Sequence, residues 1–393
     1  MILAHLTAST MFGGPERQML GLAANLPPGV RSVFLSFAEG GRCGDFLAAA
    51  RGQGFEAHAL RHDTPRLWAA TRELTDRLAS LQATALCCNG YKANLLGRLA
   101  ARRVGIPAIA VSRGWTSESF RVRVYERIDR WHLRWMDRVV CVSAAQAAKV
   151  LRTGVPAERL RVVPNAIDPD RFTRQDFSYR GDLERRFSRP RSRIIGAAGR
   201  LSPEKGFDVL VAAAATVRTA LPDVGFILFG DGACRDALQR QINTLGLADD
   251  FLLEGFRPDL DALLPHLDLL VLPSHTEGLP NVVLEACAAG VPVVATAVGG
   301  TPEVLGGGVG RLTPPGDADA LAEAIIDVFR EPDALRNMAA AGQRRVRRCF
   351  TFAAQARSYQ TILAELCPHR AEILELPTAP SKALLSLPEM CEV

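Results

Sequence analysis

Short apolar runs alternate with longer runs of amphipathic, helical spacing along most of the chain. Residues 2–9 read as a strand, 16–26 as a helix and 32–38 as the next strand. A strand at 84–89 precedes a helix at 92–105, strands follow at 107–112 and 138–143, and a helix follows at 144–154. The strands are almost continuously apolar, which predicts a parallel sheet covered by helices on both faces. The pattern breaks after residue 168, where 169–192 turn polar and Arg-rich with Pro169 and Pro190. It then restarts, with strands at 193–199, 225–230, 269–274 and 292–297 and helices at 207–221, 234–246, 281–290 and 318–330.

The expectation is two doubly wound α/β domains, at 1–170 and 193–350, joined by a linker at 171–192 with room for a helical stretch. A last helix at 351–367 and a loose tail at 368–393 complete the chain, the tail holding Pro377, Pro380 and Pro388. A length of 393 residues and a 48% hydrophobic content suit two globular cores and exclude a disordered or fibrous chain.

Charge and cysteine usage narrow the class. The net charge of +5, from 47 basic and 42 acidic residues, is too mild to imply nucleic acid as a partner. Its distribution is uneven: residues 98–138 hold ten arginines against four acids, with Trp115, Trp131 and Trp135 among them. That stretch reads either as an amphipathic helix packed on its own domain or as a surface for anionic lipid or a lipid-linked acceptor. Nine scattered cysteines without a C-x-x-C pair argue against a zinc site, and the amino terminus lacks a secretory pattern. Reduced thiols in a cytoplasmic protein, without a transmembrane helix, are expected.

Open parallel sheets bind ligands outside the carboxyl ends of their strands. In the second half those ends carry "RLSPEKG" (200–206), "DG" (231–232), "HTEGLPN" (275–281) and "VGGTPE" (298–303). Arg200 and Lys205 suit a pyrophosphate, as a fork and a point charge, or form a surface pair with Glu204. Thr301 and Pro302 open a helix whose free N–H groups suit an anion, or merely an ordinary turn. Glu285 interrupts the apolar run of Val283, Leu284, Ala286, Cys287 and Ala288, eight residues after Glu277. A carboxylate there needs a partner, and neighbouring sugar hydroxyls suit it; a favourable place near a helix start is the plainer alternative. Gly13 and Gly14, after the first strand, would let backbone approach a phosphate, but they form no G-x-G-x-x-G fingerprint of a nicotinamide enzyme.

Together "GGPERQ", "RVVPNAID", "GRLSPEKG", "FGDG", "PSHTEGLPNVVLEACAAGVPVVAT" and "GGTPE" resemble the retaining glycosyltransferases of family 4 across residues 1–366. The resemblance implies the GT-B fold: two Rossmann-like domains facing across a cleft, with a C-terminal helix crossing back to the first. It implies that Arg200 and Lys205 neutralise the diphosphate of a UDP- or GDP-sugar donor in place of a metal. Glu285 would hold ribose hydroxyls, and Glu277 the hydroxyls of the donor sugar. Gly13, Gly14, Gly230, Gly278, Leu279 and Asn281 would complete the donor site, with Gly255, Phe256 and Arg257 lining the base pocket.

Asn89, Tyr91, Lys92 and Arg113 become acceptor-side candidates, but here the chain departs from the family. Many members carry histidine where this chain has Asn89 and Arg113, and neither of these side chains accepts a proton as a base. No nucleophile is evident, so same-face attack is expected, with the leaving phosphate taking the acceptor's proton. The function implied is metal-independent transfer of a hexose, with retention, to a saccharide or lipid-linked acceptor, as in polysaccharide or lipopolysaccharide assembly. A place in the cytoplasm, on the inner face of the membrane, follows as an expectation. A nucleotide-sugar epimerase or hydrolase, and a non-catalytic binder, are the alternatives. Two D-x-D triplets, at 168–170 and 317–319, read as linker and helix cap rather than as metal sites.

Overall fold

A computed structural model describes residues 1–115, 120–172 and 178–374. The chain forms two compact units, one of residues 1–166 with 352 onwards, the other of residues 167–351.

In the first unit seven parallel strands stand in the order β3-β2-β1-β4-β5-β6-β7. They are β1 (Ile2–Thr7), β2 (Arg31–Phe37), β3 (Glu56–Leu60), β4 (Ala85–Asn89), β5 (Ala108–Ser112), β6 (Arg138–Cys141) and β7 (Leu160–Val162). The chain winds outward from β1 through β2 to β3, then returns to place β4 on the other side of β1, so the strand order reverses between β1 and β4. Both faces are covered, which explains the unbroken apolar strands: β4 and β5 are buried at every position. The last helix, Phe352–Leu366, packs against the helix Gly14–Asn25 and adds Tyr359, Ile362 and Leu363 to the core of Leu3, Leu22 and Ile109.

The tail expected to be loose is partly ordered. Pro368–Leu374 form a 3-10 helix, because Leu374 is fully buried in that same core. Residues 375–393 of the expected tail, and residues 116–119 of the Arg-rich stretch, lie outside the described residues.

The second unit holds six parallel strands in the order β10-β9-β8-β11-β12-β13. They are β8 (Arg193–Ala198), β9 (Val224–Phe229), β10 (Phe251–Gly255), β11 (Leu269–Leu272), β12 (Val293–Thr296) and β13 (Arg311–Thr313). Here the order reverses between β8 and β11, and the core is built from Phe207, Leu210, Phe226, Phe251, Val271 and Ile325.

The expected linker at 171–192 needs correction. Its described residues belong to the second unit and include the helix Ser178–Glu184, with Leu183, Phe187 and Arg191 buried. The arginines of this segment are answered by that unit's acids. Arg180 pairs with Asp268 at 2.8 Å, Arg189 with Asp250 at 3.0 Å, and buried Arg191 with the same Asp250. Among the described residues no helix is long and apolar enough to cross a membrane. Cys43, Cys87, Cys88, Cys141, Cys234, Cys287 and Cys367 are free thiols, as expected, whereas Cys349 is disulfide-bonded.

Candidate active site

The second unit brings Arg200, Lys205 and Glu277 to the reversal between β8 and β11, the position where an open α/β sheet leaves a crevice. The loop after β8 carries Arg200 and Lys205, and the loop after β11 carries Glu277. Lys205 Nζ donates to Glu277 Oε1 at 2.6 Å, and the Ser274 hydroxyl donates to the same oxygen at 2.7 Å. The loops are also joined through backbone, since the His275 N–H donates to the Glu204 carbonyl at 2.9 Å.

Two glycines let further loops close in. Gly230, after β9, has φ +129°, and a Cβ there would collide with the Gly199 carbonyl oxygen. Gly299, after β12, has φ +54°, and a Cβ would strike the Glu277 carbonyl oxygen; its neighbour Gly300 donates its N–H to the Gly278 carbonyl at 2.8 Å. Four strand ends are thus stitched into one rim around Glu277.

Each cation has a carboxylate beside it. Arg200, about half exposed, donates to Glu204 Oε1 at 2.8 Å, so the surface pair weighed from the sequence is present. Burial pushes the Glu204 carboxyl up, but hydrogen bonds from the Ser202 hydroxyl, its own backbone and Arg200 hold it below its ordinary value. Glu204 Oε2 and Asn281 Oδ1 are buried polar atoms without a hydrogen-bond partner among the described residues. Asn281 opens the helix Asn281–Ala289 after the cap residue Pro280, and Leu279 is buried just before it. Glu285 stands one turn inside that helix, half-buried between fully buried Leu284 and Ala286.

The loop after β10 divides its expected residues. Phe256 is 67% exposed and free to stack. Arg257 is not free: its fork grips both Asp259 oxygens, at 2.8 and 2.7 Å, and Glu254 at 2.9 Å. Those partners hold its pKa above the ordinary arginine value, Asp259 foremost. These bonds brace the loop that presents Phe256.

In the first unit Gly13 caps the helix Gly14–Asn25, its N–H donating to Glu16 Oε2 at 3.1 Å. The acceptor-side candidates separate into three places. Asn89 and Arg113 meet, with Arg113 Nη2 donating to Asn89 Oδ1 at 3.0 Å and Nη1 to Asn165 Oδ1 at 3.1 Å. Tyr91 turns to Glu126, donating its hydroxyl at 3.3 Å. Lys92 is held by Asp63 and, at 2.8 Å, by Glu39, which spends its charge inside the fold. Ser274 was missed from the sequence, because a serine at a strand end carries no signal until Glu277 is seen against it.

The model of the Glycosyl transferases group 1 family matches residues 182–345, and that of Glycosyltransferase Family 4 matches residues 12–171. A 2-deoxystreptamine glucosyltransferase of Streptomyces kanamyceticus is 32% identical over 262 residues, 61% of this chain and 65% of that protein. A GDP-mannose-dependent alpha-(1-6)-phosphatidylinositol monomannoside mannosyltransferase of Mycolicibacterium smegmatis is 32% identical over 264 residues, 63% and 68% of the two chains. The chain therefore spans about two thirds of the length of these two relatives. The crystal structure of Anabaena HepE in complex with UDP-glucose shares the fold, with a TM-score of 0.82 at 24% identity over 93% of this chain and 100% of that one. The chain belongs to the group 1 glycosyl transferases, glycosyltransferase family 4.

Proposed function

We propose that the protein transfers a hexose from a nucleotide-diphosphate-sugar to a saccharide or lipid-linked acceptor, with retention of anomeric configuration and without a metal ion. The observation that carries this reading is the Lys205–Glu277 pair, with Arg200 on the same loop, at the strand-order reversal of the second unit. Cleaving the sugar–phosphate bond builds negative charge on the diphosphate and positive charge on the anomeric carbon. Arg200 and Lys205 stabilise the first, an effect worth a few kcal/mol (about 3) per well-placed donor. Glu277, with Oε1 engaged by Lys205 and Ser274, offers its other oxygen to sugar hydroxyls. Glu285 holds the ribose. The acceptor attacks on the face the phosphate leaves and gives its proton to that phosphate. Similar proteins support the donor class: the Mycolicibacterium smegmatis relative is GDP-mannose-dependent, and a galactosyltransferase of Escherichia coli uses UDP-galactose.

The test is incubation with UDP-, GDP- and ADP-sugars, with and without saccharide and lipid acceptors, read by product mass. Acceptor-dependent gain of one hexose supports the reading. Donor converted or hydrolysed regardless of acceptor supports an epimerase or hydrolase, and binding without turnover supports a non-catalytic binder.

Action on the cytoplasmic face of a membrane is part of the same proposal. The helix Phe120–His132 keeps Glu126, Asp129 and His132 buried while exposing Val124, Tyr125, Ile128 and Trp131, and Trp135 follows with 39% exposure. Aromatic and aliphatic side chains among arginines suit an anionic lipid surface. Flotation with anionic liposomes at low salt checks it; a protein left at the bottom of the gradient rejects it.

A further inference from the structure

Arg113 follows β5 in the first unit and lines a small cavity at the β1–β4 reversal, with His5, Gln18, Cys87, Asn89, Asn165, Gln355 and Tyr359 around it. Its partners within the fold are two neutral amide oxygens, those of Asn89 and Asn165. Among the described residues no carboxylate stands at ion-pair distance; the acid that acts on it, Glu16, gives its Oε2 to the Gly13 N–H. A guanidinium has five N–H groups, so two bonds leave three to be answered. Three further polar atoms of the same wall lack partners among the described residues: His5 Nδ1, Asn89 Nδ2 and Gln355 Oε1, on side chains 1%, 7% and 8% exposed, and of these the Asn89 amide nitrogen is the donor that suits an anion. A partly buried cation held only by amides is costly unless an anion completes it. The fork geometry favours an oxyanion over a single point charge. The cavity, about 10 Å³, admits one water-sized atom, enough for a single carboxylate or phosphate oxygen and too little for a sugar ring.

We propose that Arg113, with Asn89 beside it, receives one oxygen of a carboxylate or phosphate group carried by the acceptor substrate. The cavity is built wholly from first-unit residues, whereas the cations assigned to the donor diphosphate belong to the second. The word acceptor rests on the transferase reading; the anion site itself does not. Histidine at this position would accept or donate one proton, while arginine selects a substrate by charge.

The test uses acetate and inorganic phosphate as probes, titrated against chloride at constant ionic strength, with melting temperature as the readout. The Arg200→Ala/Lys205→Ala double variant removes the other phosphate-binding cations. In that background both oxyanions are expected to raise the melting temperature saturably, by roughly 2–5 °C. Adding Arg113→Gln abolishes the rise, and adding Arg113→Lys retains part of it. If Arg113→Gln does not fold, Asn89→Leu takes its place and is expected to weaken the response. A purely structural Arg113 lowers the starting melting temperature of Arg113→Gln but leaves the oxyanion response intact, and that result overturns the proposal. So does a response to chloride equal to that to acetate and phosphate, or no response in any form. The wild-type response to UDP, measured in chloride, reports the donor reading separately: it can fail while the oxyanion response stands, and the reverse.

Discussion

Replacing Glu277 by Gln separates binding of the leaving group from catalysis. Glu277 is 9% exposed and its Oε1 lies 2.6 Å from Lys205, whose side chain is 22% exposed, so the carboxylate neutralises the cation that the diphosphate needs. Gln is nearly isosteric and can still accept from Lys205 and Ser274 through its carbonyl oxygen. Removing a unit charge about 5 Å from an incoming phosphate changes the Coulomb energy by about 0.8 kcal/mol in a water-like medium and about 3 kcal/mol at an effective dielectric of about 20. With Lys205 partly solvated the lower end applies, about 1 kcal/mol, or roughly fivefold tighter binding of UDP. UDP carries no donor hexose for Glu277 to hold, so nothing offsets that gain. Transfer moves the other way, falling at least tenfold, about 1.4 kcal/mol of barrier, as the sugar loses its charged acceptor. Calorimetric titration of UDP at low and high salt, beside the transfer rate, reads both, and the affinity gain shrinks as salt rises. A folded Glu277→Gln protein that binds UDP no better than wild type refutes the electrostatic argument.

Four further outcomes are expected. Arg200→Ala and Glu285→Ala each lower turnover at least tenfold, about 1.4 kcal/mol, while melting normally; full activity in either removes that residue from the site. Gly299→Ala forces a side chain into a left-handed backbone with φ +54° and against the Glu277 carbonyl, so it costs about 1–2 kcal/mol or more in a melt and lowers transfer with it. Burial lowers the His5 pKa from 6.5 to about 4, so the unfolded chain takes that proton first. Stability is then lost as pH falls from about 6.5 towards about 4, by up to about 3 kcal/mol, and denaturant melts of His5→Asn show a flatter slope across that window. EDTA leaves transfer unchanged; loss of activity restored by Mg²⁺ or Mn²⁺ rejects the metal-independent account.

Elements with strong apolar periodicity were legible from the chain alone. The helix at 318–330 is Ala318–Arg330 in the structure, and the strand at 193–199 is Arg193–Ala198. What escaped was weak for identifiable reasons. β3 is an edge strand with only two buried positions, and β13 is three residues long. The helix Pro332–Cys349 is 18 residues long but buries only Gly342, Val346 and Cys349, too few for an apolar stripe. That the segment at 171–192 belongs to the second unit escaped because the acids that pair with its arginines, Asp250, Asp268 and Glu254, are all distant in sequence. In the site, motif spacing brought out Arg200, Lys205, Glu277 and Glu285. It could not show that Lys205 and Glu277 share a bond, that Lys92 is spent on Asp63 and Glu39, or that Arg113 finds, among the described residues, the amide oxygens of Asn89 and Asn165. Those facts depend on side chains brought together by the sheet order.

The most direct test of the account is a crystal structure of the protein with a UDP- or GDP-sugar bound. The diphosphate is predicted within hydrogen-bond reach of Arg200 and Lys205, with the ribose on Glu285 and the sugar on Glu277. A nucleotide seated elsewhere, with the loops after β8 and β11 untouched, contradicts it.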